Sequence, residues 1–237
     1  MHVGRTLKSS KSSKSCETAV IPGPVLAATQ GADLLDHASE LRAILSVWRS
    51  PEFLATAAAW PKALPACVDV AAFGELGMIA RRRGVDGLPR ALTLGASAGE
   101  AAIELARTAT GTLAVRGLMV PKAPAPGAAL PGGAALKIDA EGFVDTEYPC
   151  RQDRETNSVI VSGPPAGLVS VGGYRFAWRD LQDLLAELGD GATLAALPDR
   201  LAGHRLAGIA ADRERLREAL AARGVNPLLL AAFRDRR

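Results

Sequence analysis

A serine between two glycines is the most direct sign of chemistry in this sequence. Gly95–Gly99 (GASAG) reads G-x-S-x-G, the spacing of a nucleophile elbow, which needs a strand–turn–helix context, a histidine and an acid. His204 is the only histidine downstream, and Asp153 or Asp180 could supply the acid. The alternating residues around Ser97 favour sheet and loop instead. A hydrolase is therefore the weaker hypothesis.

Metal, redox and dinucleotide chemistry have little support in the sequence. Three histidines and three cysteines are scattered without a C-x-x-C pair, so we expect no metal cluster and free thiols in a reducing compartment. Gly31, Gly84 and Gly87 do not form a dinucleotide fingerprint. A Ser/Thr/Gly-rich loop ending in lysine, which would cradle a triphosphate, does not occur either.

The charge balance excludes a typical nucleic-acid binder. The 237 residues carry 28 basic and 25 acidic side chains, a net charge of +3. Four basic residues precede Glu17, so the rest of the chain is nearly neutral and lacks the excess of basic residues that a nucleic-acid face needs. The sequence contains no run of 18 apolar residues, so we expect no membrane-spanning helix. The N-terminal charges are not followed by the apolar segment that a secretory signal would have. We therefore expect a cytoplasmic protein.

Residues 1–16 are rich in serine and lysine and poor in apolar side chains. Such a segment cannot bury enough apolar surface to offset the entropy of ordering, so we expect a disordered basic leader. The full chain of 237 residues is 48% hydrophobic, enough to bury the core of one or two domains.

The sequence of residues 17–162, the first part of the ordered chain, predicts both strands and helices. Its patterns indicate a strand at Ala19–Ile21, a helix over Val25–Leu35, a strand at Leu41–Trp48, a helix capped by Ser50 and running to Trp60, and strands at Val68–Phe73 and Met78–Arg83. From about 85 to 140, short alternations separated by Gly and Pro predict a small antiparallel sheet or distorted barrel.

The second part, 163–237, predicts a small α+β domain. Apolar spacing indicates helices at Arg179–Leu188 and Asp212–Arg223, each ended by a glycine, with a strand at Leu206–Ile209 between them. Phe143–Val144 and Ser158–Ser162, at the end of the first part, are expected to pair around a polar turn. The fold class is therefore α+β, with mixed α and β elements.

Three stretches carry a family resemblance, in the order the family has them. Residues 142–176 are similar to G-W-F-x-T-G-D followed by a hairpin and G-R-x-x-D-x-I-x-x-x-G-x-x-I, and Gly111–Val120 is similar to G-E-L-x-V-R-G-P-x-V. Val68–Ala80 resembles the strand and loop of Y-G-x-T-E-x-G. These patterns are typical of adenylate-forming enzymes, the AMP-dependent acyl-CoA synthetase and ligase superfamily. The matches fall on Gly142, Phe143, Thr146, Gly163, Val169, Gly173 and Phe176.

The resemblance implies a catalytic and magnesium-binding role for Glu75. In the family this carboxylate helps hold magnesium against the ATP phosphates, and the glycine two residues later matches Gly77. The Tyr-Gly pair and the threonine of the motif are replaced by Ala71, Ala72 and Gly74. The nucleotide side of this motif is therefore degenerate.

The ribose and hinge positions also depart from the family. Tyr148 stands where an aspartate binds both ribose hydroxyls, and a phenol cannot accept two hydrogen bonds as a carboxylate does. Asp145, three residues earlier, would need a shifted chain to replace it. Pro164 replaces the arginine that contacts ribose and phosphate, and Ala166-Gly167 occupies the hinge.

The glycine-rich turn implies a thiol site. Gly172, Gly173 and Tyr174 match the turn that lines the pantetheine channel of the family after the small domain rotates. The implied cofactors are ATP or AMP with magnesium, and CoA. A tight turn that leads into the helix at Arg179 explains the same glycines without any ligand.

Two parts of the family's machinery are missing from the sequence. The phosphate loop belongs to the first half of a full-length enzyme, whereas the resemblance covers residues 17–233 as the C-terminal half. The late P-x-T-x-S-G-K segment is absent as well, and Lys137 is the only lysine after Lys122. Loss of each preorganised charge of this kind lowers a rate by about 10²–10³.

These observations predict an AMP-dependent acyl-CoA synthetase-like protein that is truncated and inactive alone. The alternative is a non-catalytic module that binds an acyl or pantetheine group or docks on a protein. Its partners would be a carboxylic acid or acyl substrate and a polypeptide that supplies the N-terminal half. Self-association through a face left open by the missing half is a further expectation.

Overall fold

Three β-sheets, with helices packed on the first and the last, make up the architecture. The computed structural model describes residues 17–29, 40–61, 64–96, 103–123, 133–189 and 191–234. Its mixture of small sheets and short helices agrees with the predicted mixed α and β class. The predicted leader, 1–16, lies outside the described residues.

The first sheet combines parallel and antiparallel strands. It consists, in spatial order, of β1 (Thr18–Pro22), β2 (Ala43–Trp48), β3 (Ala66–Ala72) and β4 (Met78–Arg82). The first three are parallel and β4 runs antiparallel to β3. Helix α1 (Gly23–Thr29) packs Leu26 against Ile44, and the rest of the helix predicted over 25–35 falls among residues that are not described.

A buried ion pair ties three strands of this sheet together. The Arg83 guanidinium donates to both carboxylate oxygens of Asp69, at 2.8 and 2.9 Å, and Trp48 Nε1 donates to the same carboxylate at 3.1 Å. Both charged side chains are almost fully buried. Bidentate contact and the indole N–H satisfy the carboxylate, as burial of a charge requires.

The predicted helix from Ser50 to Trp60 is wrong in type and length. Pro51–Thr56 forms a 3₁₀ helix, and Ala57 is already extended, with φ −67° and ψ 138°. Ser50 makes no side-chain cap hydrogen bond. The Ser50 side chain is buried beside the backbone of Gly203. A Cβ added to Gly203 would lie 3.2 Å from Ser50 Oγ. Tertiary packing has therefore replaced local capping at this point.

The second sheet is the predicted antiparallel one. Its spatial order is β5 (Leu92–Thr93), β10 (Ser158–Val161), β9 (Val144–Asp153), β8 (Thr112–Gly117), β7 (Ile103–Arg107) and β6 (Gly95–Ala96). The predicted polar turn lies between β9 and β10, with Ser158 opposite Asp153. The predicted partner of this strand is wrong, because β10 pairs with Cys150–Asp153 and Val144 lies opposite Val115 of β8. One core joins this sheet to the end of the first through Phe73, Leu76 and Ile79.

The described C-terminal part consists of a four-stranded sheet and three helices. The sheet order is β12 (Tyr174–Ala177), β11 (Leu168–Val171), β14 (Gly203–Ile209) and β13 (Thr193–Asp199), with helices α2 (Trp178–Glu187), α3 (Arg213–Ala222) and α4 (Pro227–Ala232). Helix α3 begins at the Asp212 cap, which accepts from Arg215 N at 3.0 Å. Strand β13 and helix α4 were not predicted from the sequence.

This unit has a core of its own. The periodic leucines of α2 and α3 pack against the inner face of the sheet and against α4, and the buried cluster is Val169, Val171, Phe176, Leu181, Leu184, Leu185, Leu206, Leu216, Leu220, Val225, Leu229 and Phe233. None of its buried members is shared with the core of the six-stranded sheet. Among the described helices, none has the length and apolar character needed to cross a membrane.

A close approach in the C-terminal core gives a test of the packing. A Cβ on Gly208 would lie 2.2 Å from the Phe233 ring, and Phe233 is buried. Gly208→Ala should therefore lower the free energy of unfolding by about 1–3 kcal/mol through overpacking. Urea denaturation measures the loss. In the control Gly163→Ala, the new Cβ would meet Pro149 Cγ at an ordinary 3.7 Å, and an equal loss in both variants would contradict the packing.

Candidate functional site

Glu75 lies in a 3₁₀ turn, Gly74–Leu76, that follows β3. Leu76 anchors the turn in the core, while the Glu75 side chain is 42% exposed. Glu75 Oε1 accepts a hydrogen bond from Arg175 Nε at 3.0 Å. The predicted catalytic carboxylate is therefore engaged by an arginine from the C-terminal sheet, one hundred residues away.

Arg175 is the centre of this contact. Its side chain is 1% exposed, and Nη1 lies 3.9 Å from Glu147 Oε2, too far for a hydrogen bond. Among the residues that the structure describes, neither Nη1 nor Nη2 has a hydrogen-bond partner. Glu147 also contacts the Lys137 ammonium closely. The four charged side chains thus lie in a row, in the order Glu75, Arg175, Glu147, Lys137.

These residues do not fit a magnesium ion. Within the described parts of the chain no group of three or more His, Cys, Asp or Glu side chains is arranged to hold a metal. A magnesium ion on Glu75 would also lie beside the Arg175 guanidinium, and like charges at this range repel. Glu75 is better described here as the partner of a buried arginine.

Tyr148 is a core residue in this structure. It lies on β9, is 1% exposed, and its ring meets Phe73 edge-on with 5.4 Å between centroids. Its Oη is 3.5 Å from Ser170 Oγ. Burial raises the pKa of the phenol to about 12, with the Ser170 contact opposing. A buried neutral phenol does not fit the task of holding ribose hydroxyls.

The neighbours of Tyr148 are used structurally as well. Thr146 Oγ1 donates to the carbonyl of Leu113 at 2.6 Å and is fully buried. Asp145 Oδ1 accepts from the backbone N–H of Glu147 at 2.7 Å, and Glu147 has a φ of 63°. Asp145 is thus occupied in shaping the strand where it could have replaced the missing ribose ligand.

The predicted thiol turn is open to solvent. Gly172 and Gly173 connect β11 to β12 with φ values of 60° and 100°, a backbone that favours glycine. A Cβ on either glycine would meet nothing within 4 Å, and Tyr174 is 53% exposed. The turn leads directly through β12 into α2, so the structural explanation also holds. Gly77, the other predicted cofactor contact, has open space around it too.

The linker lies apart in sequence from the hydrolase motif, which is described only in part. Gly163–Gly167 runs between β10 and β11, and Gly167 accepts from Trp178 N at 2.9 Å. Of the G-x-S-x-G stretch, only Gly95 and Ala96 are described, on β6, and Ser97 is not. His204 lies on β14 opposite Pro198, and its Nδ1 is buried without a hydrogen-bond partner.

Sequence reasoning missed Arg175 and Glu147. Arg175 sits in the alternating stretch YRFA, where it resembles any polar residue at a hairpin. Glu147 stands where the family pattern G-W-F-x-T-G-D has its second glycine, and its left-handed φ explains why glycine suits that position. No local signal points from Arg175 to Glu75.

The burial of Tyr148 predicts a pH dependence. In Tyr148→Phe the ring still packs on Phe73 and only a long hydrogen bond is lost, so the free energy of unfolding at neutral pH should change by less than about 1.5 kcal/mol. Above pH 10 the unfolded phenol ionises, whereas the folded one, with a pKa of about 12, stays protonated. The wild type should therefore lose stability relative to the variant as pH rises.

Urea denaturation of both proteins at neutral pH and at about pH 11, midway between these two values, measures the effect. Parallel pH profiles for the wild type and Tyr148→Phe would mean that the phenol is not buried in solution.

Comparisons with known proteins are informative only for structure. No protein-family model matches the sequence, and no curated protein matches it. Among solved structures, a malonyl-CoA ligase in a ternary product complex with methylmalonyl-CoA and AMP superposes with a TM-score of 0.52 at 22% identity. The match covers 94% of this chain and 51% of the ligase.

Two further solved structures agree. The amide bond synthetase McbA from Marinactinospora thermotolerans has a TM-score of 0.52 at 16% identity, over 91% of this chain and 47% of that enzyme. An NRPS protein containing adenylation and PCP domains has a TM-score of 0.51 at 11% identity, over 85% and 45% respectively. The chain spans about half the length of these structures. It has the fold of part of an adenylate-forming enzyme, which confirms the resemblance inferred from the order of its motifs.

Proposed function

We propose that this chain is an AMP-dependent acyl-CoA synthetase-like protein that does not adenylate a carboxylic acid on its own. In an active complex it would belong to the ATP-dependent acid–thiol ligases. ATP, AMP and CoA enter this proposal through the fold, since the structures of similar fold include a ligase with AMP and methylmalonyl-CoA bound.

The observation that carries the proposal is the contact between Glu75 and Arg175. The carboxylate that the resemblance assigns to magnesium accepts from a buried guanidinium at 3.0 Å. Metal binding there would leave the Arg175 charge buried without its hydrogen-bonded partner, which costs several kcal/mol. The same contact therefore stabilises the fold and opposes magnesium.

The ribose side supports the same conclusion. Tyr148 is packed in the core, and burial raises the pKa of its phenol to about 12, so it offers no charge to a nucleotide. Pro164 offers neither a charge nor an N–H donor where the family has an arginine. Each lost charge lowers the stabilisation of a phosphoryl transition state by about 3–4 kcal/mol.

A second candidate function has its own observation. The turn at Gly172, Gly173 and Tyr174 is unobstructed and presents a half-exposed aromatic ring. A narrow thiol-bearing chain such as pantetheine could lie along two glycines, because no side chain blocks the backbone there. On this hypothesis the chain binds CoA or a carrier-bound pantetheine without activating an acid.

The proposal also names a partner. Since the chain corresponds to about half of the similar structures, the groups that hold the triphosphate would come from another polypeptide or another part of a longer protein. The acid to be activated would then bind mainly to walls supplied by that half.

Calorimetric titration separates the two functions. We expect no heat from ATP with magnesium or from AMP at protein concentrations that would reveal a micromolar Kd. Binding of CoA alone would support the pantetheine-binding function. Micromolar binding of ATP with magnesium would contradict the proposal, because it would require a nucleotide site that survives Tyr148 and Pro164.

A matched pair of variants locates any CoA site. Tyr174→Ala removes a ring that is 53% exposed, and Phe53→Ala removes one that is 49% exposed elsewhere on the surface. CoA affinity should fall about tenfold in the first variant if the ring packs on the ligand, and should not change in the second. Equal effects in both variants would exclude the turn as the site.

A further inference from the structure

The C-terminal unit is joined to the rest of the chain through polar groups. Its apolar cluster and that of the six-stranded sheet have no buried residue in common. Between them lie Tyr148 Oη and Ser170 Oγ, 3.5 Å apart, and the Arg175 side chain. Because each core closes by itself, hydrophobic burial alone does not fix the orientation of one unit on the other.

The charged side chains at this joint connect four separate segments. Glu75 comes from the turn after β3, Arg175 from β12, Glu147 from β9 and Lys137 from the segment before β9. The two ends of the chain of charges are partly exposed, at 42% for Glu75 and 62% for Lys137, whereas Arg175 is 1% exposed. The buried arginine therefore depends on carboxylates that solvent can reach.

The backbone around Arg175 is shaped for this contact. A Cβ on Gly74, whose φ is 61°, would lie 2.8 Å from Arg175 Cγ. Only glycine lets the arginine stem pass so close to the turn that carries Glu75. Removing the partner of a buried charge is strongly destabilising, so the pair matters more than an exposed ion pair would.

A short segment, residues 133–137, which we call the strap, crosses the same joint. Ala134 N donates to the carbonyl of Arg175 at 3.2 Å, and Gly133 forms an antiparallel bridge to Phe176. At its other end, Lys137 O accepts from Asp145 N at 2.9 Å. The strap thus adds backbone bonds on both sides of the joint, and its last residue carries the lysine that holds Glu147.

We propose that Glu75, Arg175, Glu147 and Lys137 form a latch that holds the C-terminal unit in one orientation and releases it when the contact between Glu75 and Arg175 is broken. This inference concerns the joint and does not depend on whether any nucleotide or thiol binds.

Hydrogen–deuterium exchange followed by mass spectrometry tests the latch. In Glu75→Gln, whose side chain keeps its size at a partly exposed position, peptides covering 133–139 and 168–177 should exchange about tenfold faster. Peptides from β7 and β8, inside the six-stranded sheet, should keep their rates. The double variant Glu75→Gln/Arg175→Met should exchange no faster at the joint than Arg175→Met alone, because both substitutions break one interaction.

The Glu187–Arg223 pair provides the control. It joins exposed side chains of the C-terminal unit at 2.9 Å and lies outside the joint. Glu187→Gln should leave exchange at the strap unchanged. Unchanged exchange at the strap in Glu75→Gln would overturn the latch, and so would uniform acceleration over all three sheets, which indicates global destabilisation.

Should Arg175→Met fail to fold, Gly74→Ala provides the second variant, because it displaces the arginine stem and leaves every charge in place. It should accelerate exchange in the same two peptides, and the absence of that effect would count against the latch.

Discussion

The orientation of the C-terminal unit relative to the rest of the chain depends on one buried guanidinium. Arg175 enters the joint with 1% of its side chain exposed, and among the described residues its guanidinium hydrogen-bonds to Glu75 alone. Apolar packing is non-directional, so two closed cores could meet in several orientations. A hydrogen bond from a buried guanidinium is directional, so it favours the orientation that places Glu75 against Arg175. Electrostatics thus selects the arrangement that hydrophobic burial leaves open.

Residue types that suggest catalysis are used here for folding. Tyr148 fills the core beside Phe73, and Thr146 donates to the Leu113 carbonyl. Thr146 matches the family pattern whereas Tyr148 replaces its aspartate, and both hold β9 in its sheet. Glu75 follows the same rule, since its carboxylate satisfies an arginine from another sheet. A residue that matches a motif therefore indicates the course of the backbone more reliably than it indicates the chemistry.

The predictions from sequence succeeded where the physical signal is local. Leucines at positions 181, 184 and 185 have helical spacing and lie on the buried face of α2. Strand β13 was missed because it is half-exposed along its length and contains Pro198, so it lacks an apolar alternation. The contact between Glu75 and Arg175 spans one hundred residues and rests on charge alone. No periodicity encodes such a pair, which only the tertiary fold brings together.

Fold and chemistry tolerate substitution to different degrees. The fold rests on many apolar positions whose exact side chains can change while volume and pattern are kept. Adenylation rests on a few charges, each contributing a large factor to the rate. A chain can therefore keep a recognisable fold after the residues that bind the nucleotide have been replaced. Its remaining charged side chains then contribute to stability. In this chain, catalytic competence at Glu75 would require Arg175 to find another carboxylate first, and Glu147, 3.9 Å away, is the nearest one.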